Sequence, residues 1–260
     1  MSITRTTTEA VAVLTLDFGR GNAINHAFID ALNDALNVAE RDGGVRAAVL
    51  TAKGRAFCAG LDLVESCAHD RPALERYVDA FDALFVRVAT FPWPVVAAVN
   101  GHAIAGGCIL ALAADFRIMA EGPFLMGLNE VALGIPFPAG AFEVARRSMP
   151  PAAWAEAFLE GRLYKPAEAR EAGLVHRVTG SDDLLAAAIE QARRFAAGSP
   201  EAVRATKADL VAPLRAAVDS AREHRRARLF DAWFSADTRD RIGRVRDDLL
   251  RKAGKPGPGA

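Results

Sequence analysis

With 260 residues and 32 basic against 32 acidic side chains, the chain is long enough for one large domain, and it carries no global field that would draw nucleic acid or an anionic membrane. Hydrophobic residues reach 51%, yet no apolar run approaches the roughly 18 residues of a membrane span. The start MSITRTTTEA lacks the basic, apolar and small-residue succession of a secretory signal, so a cytoplasmic protein is expected. Cys58, Cys67 and Cys108 are scattered without metal-ligand spacing; they read as reduced thiols, and no metal is assigned.

In chain order, Val11 to Leu16 is β-prone and runs through Asp17 and Phe18 into the turn-rich segment Gly19-Arg20-Gly21-Asn22. From His26 to Glu40 the residues Phe28, Ile29, Leu32, Leu36 and Val38 recur near helical spacing, predicting an amphipathic helix. Val45 to Thr51 and Pro94 to Val99 are short, nearly continuous apolar runs of the kind covered on both faces of a parallel sheet. A helix is expected between them, from Ala73 to Ala89, and the glycines of Gly101 to Ala114 lead into another. Strands alternating with helices predict an α/β architecture. Beyond Pro150 the chain reads as helical apart from Gly173 to Val178, giving a core over 1–195, a C-terminal helical region over 196–252 and a flexible tail over 253–260.

Two glycine-bearing turns follow strands. In Phe57-Cys58-Ala59-Gly60-Leu61-Asp62-Leu63, the small residues Ala59 and Gly60 admit a ligand carbonyl close to the main chain, and Asp62 is placed to cap the next turn. The second, Gly101-His102-Ala103-Ile104-Ala105-Gly106-Gly107-Cys108, opens a helix whose free amides and dipole favour negative charge. Either turn alone is explained by packing. Two on neighbouring strands would aim two N–H groups at one oxygen, an oxyanion hole built without side chains.

These segments resemble the enoyl-CoA hydratase/isomerase (crotonase) family. FCAGLDL and NGHAIAGGCILALAADFRI carry the likeness, supported by Gly21-Asn22-Ala23-Ile24, Gly127-Leu128-Asn129-Glu130, Leu133-Gly134-Ile135-Pro136 and AREAGLVHRV. The resemblance implies a crotonase-type spiral of ββα units with a helical C-terminal trimerisation region, assembled as a homotrimer or homohexamer. It implies an acyl-CoA substrate in fatty acid metabolism, with no cofactor beyond the coenzyme A moiety and no nucleic-acid or membrane partner. Carried over by position, the oxyanion amides fall on Leu61 and Gly106; the candidate substrate-binding set is Ala23, Phe57, Ala59, Gly60, Leu61, Asp62, Leu63, Gly106, Ile109 and Arg20.

The resemblance also places a catalytic carboxylate at Glu130, whose apolar neighbours Val131 and Leu133 would raise its pKa toward a range useful for proton transfer. Hydratases of the family carry a second glutamate three residues beyond the oxyanion glycine; here that position is Ile109. One base suffices to move a 3,4 double bond to the 2,3 position, so Δ3,Δ2-enoyl-CoA isomerisation is the expectation, with hydration or silent acyl-CoA binding as alternatives. Glu65, Glu121 and Glu143 stay open as further acids.

His102 has no nucleophile arranged with it and reads as a turn histidine, while Cys58 reads as a small apolar filler. Arg20 and Arg55 suit either coenzyme A phosphates or plain surface. The basic run Ala221 to Arg228 lacks interleaved aromatics, so it reads as a solvated helix face or subunit contact.

Overall fold

The computed structural model describes residues 2–19 and 21–253. The chain begins with an antiparallel pair, β1 (Ser2–Thr8) and β2 (Val11–Asp17), followed by α1 (His26–Arg41). Next come β3 (Ala47–Ala52), β4 (Ala56–Cys58), α2 (Leu63–Ala68) and α3 (Arg71–Ala89). The pattern repeats as β5 (Val95–Val99), β6 (His102–Ile104) and α4 (Gly106–Leu112). It repeats again as β7 (Phe116–Ala120), β8 (Met126–Gly127), a 3₁₀ turn over Glu130–Leu133, and α5 (Ala139–Ser148). After β9 (Leu163–Tyr164), α6 (Pro166–Glu171) and β10 (Arg177–Thr179) come α7 (Leu184–Ala196), α8 (Pro200–Trp233) and α9 (Ala236–Ala253). No helix among the described residues is long and apolar enough to cross a membrane.

Successive units feed two sheets. One runs β1-β2-β3-β5-β7-β10, parallel from β2 onward; the other runs β4-β6-β8-β9, parallel from β4 to β8. The expected α/β spiral of ββα units is therefore present. Every residue of β3 and β5 is buried because the large sheet is covered on both faces. Alternate residues such as Val13, Val49 and Val96 meet Leu184, Ala188 and Ala192 of α7, while Leu14, Leu50 and Ala97 face the main core. Thus α7 packs on the sheet and α8 starts separately at Pro200.

The helices begin where side chains satisfy their first amides. Asn25 accepts from Phe28 N at 2.8 Å to start α1, and Asp70 accepts from Ala73 N at 2.8 Å to start α3. In α1, Phe28, Ile29, Leu32 and Leu36 are buried as the spacing requires, but Val38 is 51% exposed and lies off that stripe. The basic run in α8 is largely a solvated face, with Arg222, Glu223, His224 and Arg228 exposed, but two of its arginines also hold α8 to its neighbours. Arg226 pairs with Glu75 at 2.9 Å and with Asp79 at 3.1 Å on α3, while Arg225 lies over the Phe142 ring at 3.9 Å on α5. Of the tail assigned to 253–260, Ala253 closes α9 and the rest lies outside the described residues.

Candidate active site

Between the β4–α2 turn, the β6–α4 turn, the 3₁₀ segment and the two C-terminal helices lies a cavity of about 590 Å³. Its first wall is backbone. Asn22, buried with φ 47°, accepts from Phe18 N at 2.8 Å and donates to Lys53 O at 3.1 Å and Ala56 O at 2.9 Å, pinning the chain at Asn22 to the β3–β4 connection. The chain there runs alongside the next turn. Ala59 N donates to Gly21 O at 2.8 Å, Ile24 N to Gly60 O at 2.8 Å and Asp62 N to Ile24 O at 3.1 Å. In such a parallel bridge the flanking residues bond to Ile24, so the peptide N–H of Leu61 points the other way. No acceptor among the described residues takes the N–H of Leu61 or of Gly106.

The two turns touch through a glycine. An added Cβ on Gly60, whose φ is +87°, would stand 2.9 Å from Ile104 O and 3.0 Å from Gly106 N, so only glycine allows the approach. Beside it Ala105 is held at φ 50°, ψ −124°, strained for a residue with a Cβ. Its N–H donates to Gly127 O at 2.8 Å and its carbonyl accepts from Ile109 N at 3.0 Å, which fixes the strained turn and directs the Gly106 amide at the start of α4. Asp62 accepts from Val64 N at 2.9 Å and Glu65 N at 3.1 Å, capping α2 as its position suggested.

Glu130 supplies the second wall. It is 9% exposed, its Oε2 is buried without a partner among the described residues, and burial pushes its carboxyl from the ordinary 4.5 up to about 8, opposed by a hydrogen bond from its own backbone. The other acid on the wall, Asp62, is spent on the α2 amides. Ile109 lines the cavity. Glu65, Glu121 and Glu143 do not line the cavity. Glu65 pairs with His26 at 2.5 Å, Glu143 pairs with Arg146 at 2.6 Å, and Glu121 is exposed.

Of the expected binding residues, Ala23, Ala59, Leu61, Asp62, Leu63, Gly106 and Ile109 share this cavity. Phe57 does not: it is fully buried in the core within β4. Gly60 acts through its backbone contact rather than as a lining group. Arg20 lies outside the described residues, and Arg55 is exposed away from the cavity. His102 accepts from Leu125 N at 3.1 Å and serves the turn, and the Cys58 thiol, raised to about 12 by burial, is a filler.

Sequence reasoning missed the apolar roof. Val78 and Phe81 of α3, Leu229 and Trp233 of α8, and Val245, Leu249 and Leu250 of α9 complete the lining. Spacings of three in α3, four in α8, and four and five from Val245 in α9 put each set on one helix face, a signal open to inspection in a helix as charged as α9. Thr238 Oγ1 donates to Gly134 O at 3.1 Å and Arg241 to Ala132 O at 3.4 Å, tying α9 to the segment that carries Glu130.

The family model described as enoyl-CoA hydratase/isomerase matches residues 6–245. A putative enoyl-CoA hydratase of Thermus thermophilus is 40% identical over 207 residues, covering 78% of this chain and 81% of that protein. The human mitochondrial enoyl-CoA delta isomerase 1 is 32% identical over 200 residues, covering 76% of this chain and 66% of that protein. Among solved structures, human mitochondrial delta3-delta2-enoyl-CoA isomerase superposes with a TM-score of 0.88 at 26% identity, over 98% of this chain and 100% of that one. An enoyl-CoA hydratase from Mycobacterium marinum gives 0.80 at 30% identity, over 88% and 100%. The repeated ββα units are thus those of the crotonase fold, and with the match running almost from end to end, the chain belongs to the enoyl-CoA hydratase/isomerase family.

Proposed function

We propose that this enzyme moves the double bond of a 3-enoyl-CoA to the 2,3 position, using Glu130 as its lone proton carrier. The observation that carries this reading is the pairing of one buried carboxylate, its Oε2 without a partner among the described residues, with an isoleucine at position 109, where the family's hydratases have their second acid. The ionised Glu130 takes a proton from C2. The electron pair moves into the thioester carbonyl, and the N–H groups of Leu61 and Gly106 stabilise the resulting dienolate oxygen. As the carbonyl re-forms, the 2,3 double bond forms and C4 takes the proton back from Glu130, which ends as the carboxylate. A carboxyl poised at about 8 is matched to both halves of that exchange. The apolar lining suits an acyl chain, and no cofactor beyond the substrate's coenzyme A enters the scheme. Fatty acid metabolism in the cytoplasm is the setting this reading carries. A homotrimer or homohexamer is the assembly this reading carries, and sedimentation checks it.

Hydration is the second reading, favoured by the Thermus relative's description and by the 2,3-dehydroadipyl-CoA hydratase of Escherichia coli, 35% identical over 200 residues. Purified protein given 3-enoyl-CoA and, separately, crotonyl-CoA distinguishes the two. Isomerisation that collapses in Glu130→Gln, beside feeble hydration, is expected. Fast hydration would replace the proposal with the second reading, and tight binding with no turnover of either substrate would make the chain a silent acyl-CoA binder.

A further inference from the structure

We propose that His26, Glu65 and His69 form a binding site for one divalent transition-metal ion of the zinc class, outside the acyl-CoA cavity and independent of the isomerase reading. His26 opens α1, Glu65 lies in α2, and His69 caps the C-terminus of α2 one turn after Glu65. Their ligating atoms all lie within 4.8 Å of one another. His26 Nδ1 stands 2.5 Å from Glu65 Oε1, and His69 Nε2 stands 3.7 Å from the same oxygen. A tetrahedral ion with bonds of about 2.0–2.2 Å separates its donors by roughly 3.4 Å, so these two spacings bracket the requirement.

The second observation is an orphaned nitrogen. His69 Nε2 is buried with no hydrogen-bond partner among the described residues, a state that costs free energy unless something satisfies the nitrogen. A metal ion held between Nε2 and the Glu65 carboxylate would do so. The rings are also positioned in advance. His26 stacks on Tyr77 with centroids 4.5 Å apart at 22°, and His69 meets the edge of the same ring at 5.5 Å and 75°. Tyr77 is fully buried and anchored by its hydroxyl to Ile24 O. The second oxygen of Glu65 accepts from His26 N at 3.4 Å, which orients the carboxylate.

Two imidazoles and one carboxylate select zinc, cobalt or nickel over magnesium and calcium, which prefer all-oxygen shells. His26 is exposed, so water can complete the coordination. Leu63 and Val64 of α2 line the acyl-CoA cavity, so an ion here would lock the start of α1 to the helix behind the Leu61 amide.

Calorimetric titration of the full-length, tag-free protein with zinc chloride, repeated with cobalt(II) followed by absorption, tests this. One equivalent per chain is expected, with affinity falling at least tenfold in Glu65→Gln and His69→Ala. His26 is exposed, so His26→Ala keeps a readable fold and is expected to lose affinity to the same degree. Cys67, a neighbouring thiol on α2, is the control, and Cys67→Ser is expected to bind within twofold of the parent. Absence of saturable one-equivalent binding, unchanged affinity in His26→Ala and Glu65→Gln, or loss of binding in Cys67→Ser would each overturn the site.

Discussion

The two walls of the cavity are built on opposite principles. Around Leu61 and Gly106 the polar groups belong to the main chain, held by the Asn22 and Ile24 bonds and by the close passage of Gly60. Around Glu130 the polarity is one side chain in an apolar setting, its Oε2 without a partner among the described residues and its pKa raised by burial against a hydrogen bond from its own backbone. The first wall has no functional side chain to delete and yields only to bulk. The second yields to a single change of atoms.

Glu130→Gln attacks the second wall at nearly constant shape. Steady-state isomerisation is expected to lose about 10²- to 10⁴-fold in kcat with KM close to the parent's. Gly60→Ala attacks the first: its new Cβ would press on Ile104 O at 2.9 Å in a backbone region hostile to L residues. A loss of about 10²-fold in kcat is expected, together with roughly 1–3 kcal/mol of stability in urea unfolding.

The walls also differ in pH response. The folded-state pKa of Glu130 is raised from 4.5 to about 8, so between those values the folded chain keeps a proton that the unfolded chain releases. Wild-type stability therefore falls as pH rises through that window, and the loss is complete above it. Glu130→Gln removes this loss. Relative to wild type, the variant is expected to gain roughly 2–4 kcal/mol on going from pH 4.5 to pH 8.5, read from denaturant midpoints. The smallest effect belongs to Ala105→Gly, which relieves the φ of 50° and should raise stability by about 0.5–1 kcal/mol while leaving the rate within threefold.

What the sequence shows of this molecule follows how local each signal is. The buried runs of β3 and β5, the stripe of α1, the Asp62 cap and the two glycine turns are written in neighbouring residues, so they can be read directly. The strand β1, Ser2–Thr8, carries a threonine-rich and mostly exposed pattern that becomes a strand only through pairing with β2. The strands β8 and β9 are two residues each and exist because chain distant in sequence lies beside them. Phe57 sits inside a motif associated with the ligand, yet its position in β4 turns it into the core. The roof from α8 and α9 and the His26, Glu65 and His69 cluster depend on how remote segments come together, although the four-residue step from Glu65 to His69 was visible in the sequence.

The lone-shuttle mechanism makes one demand that no two-base scheme shares. With 3-enoyl-CoA carrying deuterium at C2 and ordinary water as solvent, a carboxyl as secluded as that of Glu130 returns part of the label to C4 before it exchanges. Mass spectrometry of the 2-enoyl-CoA formed in the first turnovers is expected to find deuterium at C4. A product in which the hydrogen added at C4 comes only from solvent would contradict the single buried carrier.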